Sequence, residues 1–166
     1  MAKGPRGSLR LGGRTPTHAF TRNESQPMSK QHSSTRAYGV LVHADRVILV
    51  RSSNPEHNPP LWWLPGGGIH FGETPEETLL REFVEETGLV VRDPALLTVT
   101  ADTRRRANGD RIHTVRVIYT VELAGGELSD EVGGTSDRAT WFAPDDLVTL
   151  NVADYARHAL ALVQAK

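Results

Sequence analysis

A chain of 166 residues with 38% hydrophobic content suits one domain with a sizeable core, and two complete domains would be cramped. Its formal net charge of −1 and pI near 6.7 give no global attraction to nucleic acid or to an anionic membrane. The absence of cysteine excludes a disulfide framework, thiol catalysis and thiolate-rich zinc sites, and accords with a reducing, cytoplasmic location.

Residues 1–36 carry Lys3, Arg6, Arg10, Arg14, Arg22, Lys30 and Arg36 against one acid, Glu24, among many Gly, Ser, Thr and Pro. So little apolar surface cannot offset ordering entropy, and the stretch is expected to be a disordered basic tail ahead of a folded domain at residues 37–166. Met28 stands within it as an alternative translation start. The tail lacks the hydrophobic segment of a signal peptide, and no run in the chain approaches the roughly 18 apolar residues of a membrane span. No membrane partner is expected.

From Tyr38 the pattern changes. Tyr38-Gly39-Val40-Leu41-Val42 and Arg46-Val47-Ile48-Leu49-Val50 are strand-like runs, and Ala44-Asp45 between them predicts a tight hairpin turn. Residues 52–60, rich in Ser, Asn and Pro, read as a loop. Leu61-Trp62-Trp63-Leu64-Pro65 is a short apolar strand running into Gly66-Gly67-Gly68, whose backbone can approach a ligand closely.

A helix is predicted next. Thr74 and Glu77 form a capping-box pair and Pro75 occupies the first helical position, where a missing N–H costs nothing. Gly88 follows Thr87 as a residue able to close the C-terminus in the left-handed conformation. Stepping by about 100° per residue puts Leu80, Phe83, Val84 and Thr87 on a packing side and Glu82, Glu85 and Glu86 on an acidic one. Glutamates one turn apart repel unless a cation lies between them, and hard oxygen donors favour Mg²⁺ or Mn²⁺ over softer-ligand metals. The plain alternative is a solvated face with Arg81 as its counter-charge.

The loop and helix together read Gly-x5-Glu-x7-Arg-Glu-Phe-x-Glu-Glu-x-Gly-Leu over residues 67–89. At ordinary residue frequencies such a match arises by chance on the order of once in a billion start positions, which sets coincidence aside. The segment resembles the Nudix box, the signature of the Nudix hydrolases, at every defining position. The resemblance implies that the strand–loop–helix unit is a catalytic platform, with Glu82, Glu85 and Glu86 as metal ligands for Mg²⁺ or Mn²⁺ and the Gly66 carbonyl joining the shell. It further implies that Glu73 and Arg81 brace the loop against the helix. His70 stands where many relatives carry glutamate. That position is not a defining one, and an unperturbed imidazole there titrates near about 6.5.

Beyond the helix, Leu96-Leu97-Thr98-Val99-Thr100 and residues 113–123 read as strands, with Asn108-Gly109-Asp110 marking the bend between them. Thr140-Trp141-Phe142 gives another short strand, and residues 152–165 a closing helix. The predicted class is α/β, a mixed sheet flanked by two helices. This agrees with the Nudix-type α/β/α sandwich that the resemblance implies over residues 36–165.

The reaction implied is hydrolysis of a nucleoside diphosphate linked to another moiety, with a small-molecule nucleotide as partner. Glu82 or Glu86 would serve as ligand and base, and Glu127, Asp130, Glu131 and Asp137 are distal alternatives for the base. For the substrate, Arg104 and Arg105 of the Arg104-Arg105-Arg106 cluster, with Arg111 and His113, bring positive charge that could meet phosphates. Trp63 and Phe71, with Trp62 and Tyr119, could stack a base, an interaction worth about 1–3 kcal/mol. A nucleoside triphosphate or nucleotide sugar is the default substrate. Two other classes stay open: a catalytically silent nucleotide sensor, and a hydrolase of RNA 5′ ends assisted by the basic tail, although nucleic acid is not the expected partner. Many relatives are dimers, which leaves a homodimer open.

Overall fold

The computed structural model describes Met1 and residues 29–165. Strand β1 (Gln31–His43) and strand β2 (Arg46–Ser52) form the expected hairpin, with Ala44 and Asp45 at φ 49° and 58°. Two consecutive left-handed residues make the type of two-residue turn whose twist matches that of the strands it joins. Strand β3 (Trp62–Trp63) then pairs with β2, and strand β4 (Gly66–Gly68) pairs with β1. Helix α1 (Pro75–Thr87) is followed by β5 (Leu89–Arg105), β6 (Arg111–Gly126), β7 (Ser136–Phe142) and helix α2 (Asp154–Gln164).

Among the described residues the strands form one mixed sheet in the order β3-β2-β1-β6-β5, with β4 added to β1 and β7 to β2. β1 and β6 run parallel and the other pairs are antiparallel. Two apolar layers lie on opposite sides of this sheet. One joins Leu79 and Phe83 of α1 to Ala37, Leu41, Ile48 and Val50. The other joins Ala156, Ala159 and Leu160 of α2 to Tyr38, Val40, Leu49 and Ile118. The α/β/α sandwich is thereby observed, with alternate side chains of β1 and β2 feeding each layer.

Four expectations need correction. Gln31 to Arg36 were assigned to the tail, yet they pair in register with Arg111 to Arg116. Backbone pairing to a distant strand holds this polar stretch, and composition does not register it. The rest of the expected tail, residues 2–28 with Met28, lies outside the described residues.

The helix boundaries and caps were read correctly: Thr74 accepts from the Glu77 amide at 3.1 Å, Glu77 returns the bond to the Thr74 amide at 2.8 Å, and Gly88 closes the helix at φ 69°. The packing face was read only in part. Phe83 and Thr87 are buried as expected, but Leu80 and Val84 are 38% and 50% exposed, and Thr78, Leu79 and Glu86 are buried in their stead.

β5 also begins directly at Leu89 rather than near Leu96. Register shifts between Val90 and Val91, Arg92 and Ala95, and Leu96 and Thr98, with Asp93 at φ 53°, let the strand absorb an Asp-Pro step that reads as a break. At the other end, Val152 lies ahead of the helix: it bridges Trp62, and the closing helix starts at Asp154.

Candidate active site

β4 brings its backbone against α1. Gly66 adopts φ 138° beside Tyr38 of β1, where a Cβ would come within 2.2 Å of the Ala37 carbonyl oxygen. At Gly67 a Cβ would fall 2.4 Å from Oε1 of Glu82. The glycine run is therefore a requirement of close approach: the Glu82 carboxylate lies over the strand backbone, and no side chain fits between them.

Arg81 ties the loop to the helix. Its Nε and Nη2 donate to the two Glu73 oxygens at 2.9 and 3.0 Å, a bidentate fork, and Nη1 donates to Glu82 at 2.8 Å and to Glu85 at 3.0 Å. Nη2 also reaches the Gly68 carbonyl at 3.4 Å. Glu73 accepts further bonds from the Thr78 hydroxyl at 2.7 Å and the His70 amide at 3.1 Å. Arg81 foremost, then Thr78 and the His70 amide, hold the Glu73 carboxyl well below the usual carboxylate range. The His70 ring is exposed, 3.5 Å from Glu73.

Glu86 behaves in the opposite way. It is 1% exposed, and its Oε2 accepts the Gly66 amide at 2.8 Å. Burial pushes its carboxyl up to about 8, against the pull of the Gly66 amide and with the help of the Glu82 and Glu131 charges. Burial likewise raises Glu82, opposed by Arg81. Among the described residues, no three acidic or histidine side chains converge as a ready-made metal cage. The donor chemistry nonetheless fits a hard divalent ion: Glu82, over the Gly67 backbone, Glu86, on the Gly66 amide, and Glu85 offer carboxylate oxygens, and one cationic nitrogen of Arg81 already sits between Glu82 and Glu85.

Of the distal acids, Glu131 lies near enough for its charge to raise both Glu82 and Glu86, while its Oε2 accepts the Ser136 hydroxyl at 2.7 Å and the Ser136 amide at 3.0 Å. Asp130 accepts the Ala139 amide at 2.9 Å, and Asp137 is paired with Arg51 at 2.7 Å. The Glu127 backbone crosses Gly88 so closely that a Cβ there would meet its carbonyl at 2.3 Å.

A cleft of about 720 Å³ opens beside Gly66, the size of a small-molecule site. Of the residues expected to bind substrate, Arg104 and Trp63 line it. Arg105 and Phe71 do not: both are exposed, Phe71 completely, on surfaces away from the cleft lining. Trp62 is in the core edge-on to Phe142, and the Tyr119 hydroxyl donates to Glu76 at 2.7 Å, its own ionisation pushed up to about 12 by burial and that glutamate. The sequence reading missed Arg36, Arg116 and Tyr155, which line the cleft. Arg36 was hidden in the presumed tail. For Arg116 the available signal was period-two alternation, which puts it on one face with Thr114 and Ile118.

The NUDIX domain family model matches residues 33–163, most of the chain and all of the site just described. The chain belongs to the Nudix family. This Nudix hydrolase is 31% identical over 121 residues to an ADP-ribose pyrophosphatase of Methanocaldococcus jannaschii, covering 72% of this chain and 67% of the relative. An RNA pyrophosphohydrolase of Acinetobacter baylyi is 39% identical over 66 residues, covering 40% of this chain and 37% of its own. Among solved structures, a MutT NUDIX hydrolase from Burkholderia pseudomallei superposes with a TM-score of 0.67 at 29% identity, covering 80% of this Nudix chain and 98% of the other.

Proposed function

We propose that the protein is a divalent-cation-dependent pyrophosphohydrolase that cleaves a nucleoside diphosphate linked to another moiety, with ADP-ribose, nucleotide sugars and nucleoside triphosphates as the substrate class. The observation that carries this reading is the Glu82–Glu86 pair, one carboxylate lying over the Gly67 backbone and the other held by the Gly66 amide at the edge of the cleft. A divalent ion held by Glu82, Glu85, Glu86 and the Gly66 carbonyl supplies neutralisation of the diphosphate charge that otherwise repels a nucleophile.

The chain's own groups do the rest. Arg81, fixed on Glu73, orients the acidic face while leaving its charge balanced. Glu86, buried against the Gly66 amide, would be a strong proton acceptor for an attacking water once a divalent ion holds it as the carboxylate, because burial raises its affinity for a proton; burial raises Glu82 in the same direction. Water adds to one phosphorus, the bridging P–O bond breaks, and a nucleoside monophosphate leaves with the phosphorylated remainder. The similarity to an ADP-ribose pyrophosphatase over most of the chain supports this substrate class. We place the reaction in the cytoplasm, where such nucleotides are found.

The test is release of nucleoside monophosphate or phosphate from ADP-ribose, nucleotide sugars, nucleoside triphosphates and dinucleoside polyphosphates with Mg²⁺ or Mn²⁺, for wild type and Glu86→Gln. Metal-dependent turnover lost in the variant supports the reading; turnover retained in the variant overturns the role of Glu86. A second reading, hydrolysis at RNA 5′ ends, is favoured by the exposed Arg104-Arg105-Arg106 tip and by the shorter similarity to an RNA pyrophosphohydrolase. Triphosphorylated RNA in the same panel separates the two.

A further inference from the structure

Arg36 of β1 and Arg116 of β6 are direct cross-strand neighbours in a parallel ladder, and both line the cleft beside Gly66. Like charges placed opposite each other on a sheet repel, and Asp102 balances only Arg116 of this pair. Arg116 is fixed in an unusual way. Its guanidinium stacks 4.6 Å from the centroid of the Tyr155 ring, Nη1 donates to Asp102, and the side chain is 13% exposed. Its Nε is buried without a hydrogen-bond partner. A buried N–H left unpaired is costly, and it shows that this guanidinium is held in place by Tyr155 and Asp102 rather than by a full set of its own bonds.

Arg36 has donors to spare as well. Among the described residues its one hydrogen bond is a long 3.4 Å contact to the Tyr38 hydroxyl. The charged residues lining the cleft are Arg36, Arg104 and Arg116 against Asp102 and Asp154, with Asp102 already engaged by Arg116. Arg36 is also close to the acidic face of α1: it pairs with Gly68 of β4, whose carbonyl Arg81 touches, and Tyr38 two residues on pairs with Gly66.

We propose that Arg36 and Arg116 form an anion seat that takes a phosphate of the bound nucleotide, Arg36 offering the guanidinium donors that no carboxylate among the described residues engages. A guanidinium pair matches a phosphate group in charge and in fork geometry, and Tyr155 and Asp102 hold one fork ready before the ligand enters. The proposal rests on the nucleotide-hydrolase reading only in taking the cleft as the place where the nucleotide lies.

The experiment is calorimetric titration of inorganic pyrophosphate and of ADP-ribose into the full chain with EDTA present, for wild type, Arg36→Gln, Arg116→Gln and Arg116→Lys, with thermal melting as the check on folding. Pyrophosphate should bind the wild type, and its affinity should fall at least tenfold in Arg36→Gln and Arg116→Gln. Arg116→Lys should restore only part of the loss, because lysine keeps the charge without the fork. Unchanged affinity in both folded glutamine variants, or no pyrophosphate binding by the wild type, overturns the seat. If Arg116→Gln does not fold, Arg36→Gln decides. Turnover assayed alongside separates the two ideas: metal-dependent hydrolysis with unaltered KM in both glutamine variants removes the seat and leaves the hydrolase. Arginine-dependent pyrophosphate binding without turnover of any substrate leaves the seat and removes the hydrolase.

Discussion

The Gly66 amide donates to Glu86 across twenty residues of chain at 2.8 Å, and this one bond anchors a carboxyl that burial drives towards its protonated form. A raised carboxyl has a consequence for stability. Metal-free native protein keeps the Glu86 proton up to about pH 8, whereas the ordinary value is 4.5, so between those values the folded state holds one more proton than the unfolded chain. Stability contributed by this group is complete below 4.5 and is lost as pH rises towards about 8. Urea unfolding in EDTA at several pH values should show the wild type losing up to about 1.4 kcal/mol per pH unit more than Glu86→Gln across that window. Parallel pH profiles for the two proteins would refute the assignment.

The same substitution should abolish most catalysis. Turnover with Mg²⁺ is expected to fall about 100-fold or more, since even the partners of a metal ligand are worth roughly 10- to 100-fold. Steady-state rates at saturating metal check this, and a tenfold excess of Mn²⁺ should not rescue the variant.

Arg81→Lys probes the brace. Lysine cannot reproduce the fork on Glu73 while also bridging Glu82 and Glu85. Metal affinity, measured by Mn²⁺ titration, should drop by about 10- to 100-fold with the fold intact. Retained affinity would show that the carboxylates are oriented by something other than Arg81.

The two neighbouring glycines should fail differently. Gly66→Ala forces a Cβ to within 2.2 Å of a backbone oxygen at a positive φ, and should destabilise by about 2–4 kcal/mol in thermal or urea unfolding. At Gly67 the obstruction is the Glu82 carboxylate, which can swing away. Gly67→Ala should keep most of the stability and lose metal affinity. An equal stability loss in both would mean that Glu82 is not free to move.

The face of α1 can be tested by a pair of truncations. Leu79→Ala should cost about 2–5 kcal/mol, and Leu80→Ala less than about 1 kcal/mol, because Leu79 is fully buried and Leu80 is 38% exposed. Similar costs would restore the face predicted from hydrophobicity.

What could be read in advance followed from local chemistry. Thr74, Pro75, Glu77 and Gly88 define the helix by bonds made within a few residues, and the Glu73–Arg81 brace was what the resemblance to the Nudix box implied. What could not be read depends on partners far along the chain. Glu86 looks like a surface residue until Gly66 is placed against it, and Leu80 looks like core until Thr78 and Leu79 are seen to take the sheet side. Arg36 belongs to a stretch whose polar composition suggests disorder, and its pairing with Arg116 on one side and Gly68 on the other makes it a strand and a cleft wall.

That pairing also sets the order of events when the chain is made. β1 leaves the ribosome first among the described strands, but its parallel neighbour lies about eighty residues later, as the Lys30–Asp110 bond spans. The central strand of the sheet therefore waits, held at first by its hairpin to β2 and by the short β4, until residues 111–126 have emerged to dock beside it. Truncated chains ending before β6 would present an unsatisfied strand edge, the surface from which intermolecular pairing grows.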